Sequence, residues 1–244
     1  MNVVILGATR GMGRCLSRLF AARGDRLCVL GHEPEDLAST VADLEARGAG
    51  FVSSASCDLE RPESFGPAFT SAVAELGRID TVVITAGLFA TQERLEEDGE
   101  LTARLLAANF TNTVLFCEEA RKRLLAGGGG TLCAFSSVAG DRGRKPVVLY
   151  GASKAGLSHY LESLDHKYRA EGLKTVCVKP GFVKTGMTAG LKPPPFAGDP
   201  EGVARLVLKA IDRGTPVVYA PPIWSQIMRV IRALPRTVMR RVGF

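Results

Sequence analysis

Tyr150 and Lys154 stand four residues apart, and Ser137 lies thirteen positions before the tyrosine. A phenol, an ammonium and a hydroxyl at this spacing form a proton-transfer set if one helix carries the first two, because residues i and i+4 share a helical face. The run 149-LYGASKAGLSHYLESLDHKY-168 meets that condition. Leu149, Leu157, Leu161 and Leu164 recur at helical intervals, and no proline interrupts them. A free phenol has a pKa of about 10, so work at neutral pH needs a shift of about three units, roughly 4 kcal/mol. An ammonium about 4 Å away supplies roughly that much at an effective dielectric of about 20. Ser137 would then donate a hydrogen bond to a carbonyl oxygen undergoing reduction, and Tyr150 would give that oxygen its proton. Such a set predicts an enzyme, on condition that the chain also holds a hydride donor.

The N-terminal stretch offers a place for one. An apolar run, 3-VVIL-6, leads into 7-GATRGMG-13 and then into 14-RCLSRLFAAR-23, which has helical periodicity. Strand, glycine-rich turn and helix make a nucleotide cradle: glycine lets the main chain approach a pyrophosphate, and a helix N-terminus attracts its charge. Gly7, Gly11 and Gly13 are spaced G-x-x-x-G-x-G, with Thr9, Arg10 and Met12 among them. Taken alone, that spacing serves a tight turn equally well.

The two ends together resemble the short-chain dehydrogenase/reductase family, and further matches follow in order along residues 1 to about 220. The resemblance implies that Asp58 and Leu59, in 57-CDL-59, meet the adenine. It implies that Thr85, Ala86 and Gly87 line the coenzyme, Thr85 standing where the family often has asparagine. Asn109, in 107-AANFTN-112, matches the residue that anchors a water relay to the active-site lysine; a helix-interior asparagine satisfied by main chain is its other reading. Ser137 falls in 136-SSVAG-140, and 180-PGFVKT-185 places Pro180, Gly181, Val183 and Thr185 around the nicotinamide. Tyr150 and Lys154 would touch the coenzyme as well, the lysine at the nicotinamide ribose. Leu6 departs from the pattern, since a threonine usually precedes the first glycine; a turn-stabilising hydrogen bond is in question there.

Other elements must hold these groups in place. Strand-like segments near 2–6, 26–30, 50–55, 79–84, 130–135, 173–178 and 216–219 alternate with helix-like ones near 11–22, 34–47, 61–76, 99–126, 149–171 and 199–213. That alternation predicts an α/β fold: a doubly wound Rossmann-type parallel sheet with helices on both faces. A chain of 244 residues can bury one large core. We expect a single dinucleotide-binding domain over 1–220 and a basic amphipathic C-terminal tail over 221–244. Six cysteines, one to an element and without any C-x-x-C pair, read as buried thiols in a reducing compartment, with no metal site. His159 and His166 fall opposite Tyr150 around their helix. No stretch approaches the ~20 uncharged apolar residues of a spanning helix. No signal peptide is legible either, so the expected location is cytoplasmic, with the inner face of the membrane as an extension. The helices near 99–126 and 149–171 resemble the usual family interface, which implies a homodimer or homotetramer.

Five arginines in 222–244 (229, 232, 236, 240 and 241), unaccompanied by acids, carry five of the six net positive charges. The basic balance therefore belongs to the tail, and with few aromatics and no nucleic-acid motif it predicts no nucleic-acid partner. Trp224, Ile227, Val230, Ile231, Leu234 and Val238 are interleaved with those arginines, and Pro235 should split the helix. Such a segment fits an interfacial helix on anionic lipid, where five arginines would add up to ~5 kcal/mol. It fits equally a cap packed on the subunit or a neighbour. The segments 136–157, 180–195 and 218–236 resemble the decaprenylphosphoryl-2-keto-ribose reductases, which implies a lipid-linked keto-sugar substrate. Arg142, Arg144 and Lys145 would meet its phosphate, or form an ordinary solvated turn. The other reading is a soluble reductase of a small ketone or aldehyde; a non-catalytic dinucleotide scaffold is the third. Coenzyme choice is read at the end of the second strand, where Gly31 and His32 supply no acid. With Arg10 as a base beside the cradle, NADP (as NADPH) is the expected coenzyme, although Glu33 would serve as a ribose acid if the strand ran longer. The segment 182–200, rich in Pro and Gly, is the expected lid over the substrate.

Overall fold

The apolar runs become seven parallel strands of one sheet in the computed structural model, which describes residues 1–242. Gly243 and Phe244, the last two residues of the expected tail, lie outside the described residues. The strands are β1 (Asn2–Leu6), β2 (Arg26–Gly31), β3 (Phe51–Ser56), β4 (Thr81–Ile84), β5 (Gly130–Phe135), β6 (Leu173–Pro180) and β7 (Val217–Ala220). Their order across the sheet is β3-β2-β1-β4-β5-β6-β7. The winding reverses between β1 and β4, and ligands of such sheets enter the crevice beyond the strand C-termini at that point.

Helices cover both faces because every inner strand is apolar on both. Along β1, Val4 and Leu6 join one core cluster while Val3 and Ile5 join the other, as the two-residue strand period requires. The first cluster packs α3 (Phe65–Leu76), α6 (Thr113–Ala126) and α7 (Val148–Tyr168), with Phe65, Phe69 and Phe116 stacked edge-on or tilted. The second packs α1 (Gly11–Ala22), α2 (Pro34–Ala46) and α8 (Pro200–Arg213) through Leu16, Phe20, Leu37, Leu44, Val203 and Val207.

Two local departures concern the site. The helix read over 99–126 is α5 (Gly99–Leu106), a π-helical turn (Ala107–Asn112) and α6, with an additional short α4 (Gln92–Glu97) before it. Asp98 separates α4 from α5 by accepting a hydrogen bond from Leu101 N, an N-cap that the leucine periodicity did not reveal. After β7 the chain forms α9 (Ile223–Ala233), breaks at Leu234 and Pro235, and resumes as α10 (Arg236–Met239). Among the described residues no helix is long and apolar enough to cross a membrane.

Candidate active site

The glycine-rich turn joins β1 to α1 at the winding reversal. Gly7 takes φ +93°, and a methyl on Gly13 would collide with the Gly7 carbonyl. The threonine expected before Gly7 is replaced in effect by Thr85 at the end of β4, whose hydroxyl donates to the Gly7 carbonyl at 2.9 Å. That bond brings 85–87 against the turn. Helix α1 begins without a side-chain cap and without an acid in its first turn, so its leading N–H groups stay free for an anion. A cradle so closely packed, with uncapped donors behind it, fits a dinucleotide pyrophosphate. Thr9 and Met12 are half-buried in the turn, and Pro180, Gly181, Val183 and Thr185 follow β6 across the crevice. Asp58 lies with His32, Ser56, Arg61, Glu63 and Ser64 around a cavity of about 370 Å³ beyond β2 and β3. Leu59 is buried beside it, its carbonyl accepting from Asn112.

Tyr150 and Lys154 do share the inward face of α7. The Lys154 ammonium stands 5.8 Å from the centre of the Tyr150 ring and donates to the Phe135 carbonyl at the end of β5, at 2.9 Å. Phe89 packs edge-on against the same ring at 5.2 Å. Ser137 caps the turn Val138–Gly140, its hydroxyl accepting from Ala139 N. Both polar atoms of the Asn109 amide are engaged: Oδ1 accepts from Leu88 N and Nδ2 donates to Leu88 O, both at 2.7 Å. This main-chain clamp fixes the 87–88 turn beside Lys154. It sits in the π-helical turn, a feature frequent at functional sites.

Electrostatics differ from the expectation of an acidified phenol. Burial pushes the Tyr150 hydroxyl up to about 12, with the Ser137 hydroxyl opposing it. Burial also lowers the Lys154 ammonium to about 8. Both charged forms lose water, and the lysine bonds to a carbonyl instead of the phenol oxygen, so desolvation outweighs attraction here. The phenol keeps its proton at neutral pH, the form that a proton donor needs.

The far wall was not legible from motifs. Asp141, just past the serine turn, is 3 % exposed at its side chain and binds Lys179 Nζ at 2.6 Å and the Tyr219 hydroxyl at 2.7 Å. It ties the Ser137 turn to β6 and β7 together. Helix α9 then covers this corner: Met228 and Ile231 are buried against Val138, with Tyr219, Trp224 and Ile227 around them. Burying two such side chains contributes about 1.5–3 kcal/mol each. The Trp224 indole lies directly on Gly181, where a methyl would overlap it. Gly181→Ala is therefore expected to cost about 1–3 kcal/mol of stability by overpacking; an unchanged denaturant midpoint would contradict that contact.

The segment 182–200 is clipped at its base, Gly198 N donating to Phe182 O and Lys184 N to Gly198 O. Its residues Thr185, Thr188 and Leu191 face Gly11, Arg14 and Cys15 of α1 across a cavity of about 450 Å³. It thus borders the glycine-rich turn, while α9 packs over Val138. At the end of β2, Arg10 pairs with Asp36 at 2.7 Å and His32 with Glu33 at 3.2 Å. The strand stops at Gly31.

Comparison with known proteins bears on the same residues. The family described as short chain dehydrogenase matches residues 1–195. An uncharacterized oxidoreductase of Mycobacterium tuberculosis is 33% identical over 240 residues, covering 98% of this chain and 96% of that one. Carbonyl reductase family member 4 of Xenopus tropicalis is 30% identical over 212 residues, or 84% and 88% of the two chains. A short-chain type dehydrogenase/reductase from Mycobacterium ulcerans shares the fold with a TM-score of 0.82, at 22% identity over 89% of this chain and 86% of that one. The chain belongs to the short-chain dehydrogenase/reductase family and is an NAD(P)-dependent oxidoreductase.

Proposed function

We propose that this chain reduces a small ketone or aldehyde to the alcohol, with NADPH as the preferred hydride source. The observation that carries the reading is a half-buried Tyr150 with the Lys154 ammonium 5.8 Å from the centre of its ring and Ser137 beside it. When bound, the nicotinamide supplies hydride to the carbonyl carbon. Ser137, whose oxygen accepts from Ala139 N, donates its hydroxyl proton to the carbonyl oxygen and holds it. Tyr150 delivers its proton to that oxygen as negative charge develops there. Lys154 would stabilise the resulting phenolate and would hold the nicotinamide ribose. Asn109 holds the 87–88 turn against Lys154, and a water chain returning the proton would start from there. A family relative described as a carbonyl reductase supports the same reaction class.

The preference for NADPH draws on Arg10 and on His32, with β2 ending at Gly31. Asp36 is paired with Arg10, and Glu33 lies 3.2 Å from the His32 imidazole. Arg10→Ala is expected to narrow the NADPH-to-NADH ratio of kcat/KM by about tenfold. An unchanged ratio, or a large NADH preference in the intact chain, would count against the assignment.

Lys154 sets the expected pH dependence. Its ammonium is lost as pH rises past about 8, whereas Tyr150 stays protonated to about 12. The kcat/KM for reduction, which reports the free enzyme, should be level near neutrality and fall with an apparent pKa near 8. A profile flat to the ordinary lysine range would contradict this.

The lipid-linked keto-sugar reading draws on the resemblance of three segments, the basic tail and the loop Arg142, Arg144 and Lys145. Met228 and Ile231, which an interfacial helix would insert into lipid, are packed on Val138 instead. We therefore assign the tail to closing the substrate side. The intact chain should fail to co-sediment with anionic vesicles; sedimentation that disappears on deletion after Pro221 would restore the lipid reading. Phe110 in the π-helical turn and Leu115 in α6 are exposed and suit a homodimer or homotetramer contact.

A further inference from the structure

Three buried side-chain atoms among the described residues have no hydrogen-bond partner: the Ser53 hydroxyl, Trp224 Nε1 and Arg144 Nε. Ser53 lies on the edge strand β3, and Trp224 rests on Gly181. Arg144 differs from both because it is a cation. It sits in the loop that runs from the Ser137 turn into α7, six residues before Tyr150.

Asp141 and Arg142, charged neighbours in that loop, are already committed. Asp141, the carboxylate that acts on Arg144, has one oxygen on Lys179 and the other on Tyr219. Arg142 donates to the Leu234 carbonyl at 2.8 Å, which pins the end of α9. Lys145 is exposed. Among the described residues no carboxylate lies within ion-pair distance of Arg144, and burial holds its guanidinium below the ordinary arginine range. A partly buried guanidinium with an orphaned Nε is relieved by an acceptor and most by an anion, and its planar fork matches carboxylate and phosphate oxygens.

We propose that Arg144 binds an anionic group carried by the carbonyl substrate, so that the substrate is an oxo acid or a phosphorylated ketone or aldehyde. The proposal rests on the reductase reading above and narrows its substrate class. The anion would anchor one end of the molecule on the loop while its carbonyl reaches Ser137 and Tyr150. Arg144 thereby sets specificity and takes no part in proton transfer.

The test uses matched pairs with the intact chain and Arg144→Gln: 3-oxobutanoate against its methyl ester, and dihydroxyacetone phosphate against dihydroxyacetone. In at least one pair the intact chain should favour the anion in kcat/KM by about tenfold or more. Arg144→Gln should raise KM for that anion by a similar factor, leaving kcat and the neutral partner within about twofold. The two pairs distinguish carboxylate from phosphate. Preference for both neutral partners, or equal losses on both members of a pair, overturns the proposal. Should Arg144→Gln fail to fold, Arg144→Lys keeps the charge without the fork and should raise KM for the anion alone, by about threefold or more; equal changes for both members overturn it. If the intact chain with NADPH turns over no carbonyl at all, the reductase reading fails separately. Thermal-shift titration with acetate and inorganic phosphate then decides the anion site: stabilisation lost in Arg144→Gln supports it, and no stabilisation overturns it.

Discussion

Tyr150→Phe is expected to lower kcat for carbonyl reduction by about 10²- to 10⁴-fold, with coenzyme affinity changed by no more than about twofold. The substitution removes one oxygen and keeps the ring. Phe89 packs on that ring edge-on at 5.2 Å, and the Lys154 ammonium stands 5.8 Å from its centre, contacts that need no hydroxyl. The bond from Lys154 to the Phe135 carbonyl is likewise untouched. What disappears is the single proton that burial keeps on the phenol at neutral pH. Steady-state turnover together with a fluorescence titration of coenzyme separates the two effects. Full turnover in the variant would transfer the acid role elsewhere.

Gly13→Ala should act in the opposite way, through binding. Its methyl would meet the Gly7 carbonyl and the Thr85 hydroxyl, both fixed by the bond that replaces the missing threonine at Leu6. Main-chain oxygen cannot rotate away as a flexible side chain can, so the turn must open. Displacing the cradle by about 1 Å would cost roughly 10²-fold in kcat/KM. Saturating coenzyme should recover part of kcat, because the Ser137 turn and α7 are built on other strands. Coenzyme affinity equal to that of the unaltered chain would mean that the turn does not hold the dinucleotide.

How legible this site is from sequence depends on the range of each contact. Tyr150 and Lys154 are fixed by helical spacing alone, and β1 with its glycine turn by a continuous apolar run followed by Gly7, Gly11 and Gly13. The alternation of strand and helix likewise carries the sheet, since both faces of each inner strand must be apolar. Contacts between distant segments left no local trace. Asp141 meets partners 38 and 78 residues away, and Arg142 reaches Leu234 across 92. Arg10 is legible as a base beside the cradle, but its pairing with Asp36 from the next helix is not. The depressed phenol was expected from pairwise attraction; burial, which depends on everything packed around α7, reverses the sign. Apolar and basic residues alternate along 221–242, but periodicity cannot say whether an apolar face meets lipid or Val138.

The central claim is that hydride passes from the nicotinamide to a carbonyl while Tyr150 protonates the oxygen. Its most direct test is isotope transfer: NADPH deuterated at the reactive position of the nicotinamide, incubated with the intact chain and the carbonyl pairs named above, followed by mass spectrometry of the alcohol. The account predicts one deuterium on the carbinol carbon, and almost none with Tyr150→Phe over the same time. Coenzyme that binds tightly yet yields no deuterated alcohol from any carbonyl, under conditions where the protein stays folded, would contradict it.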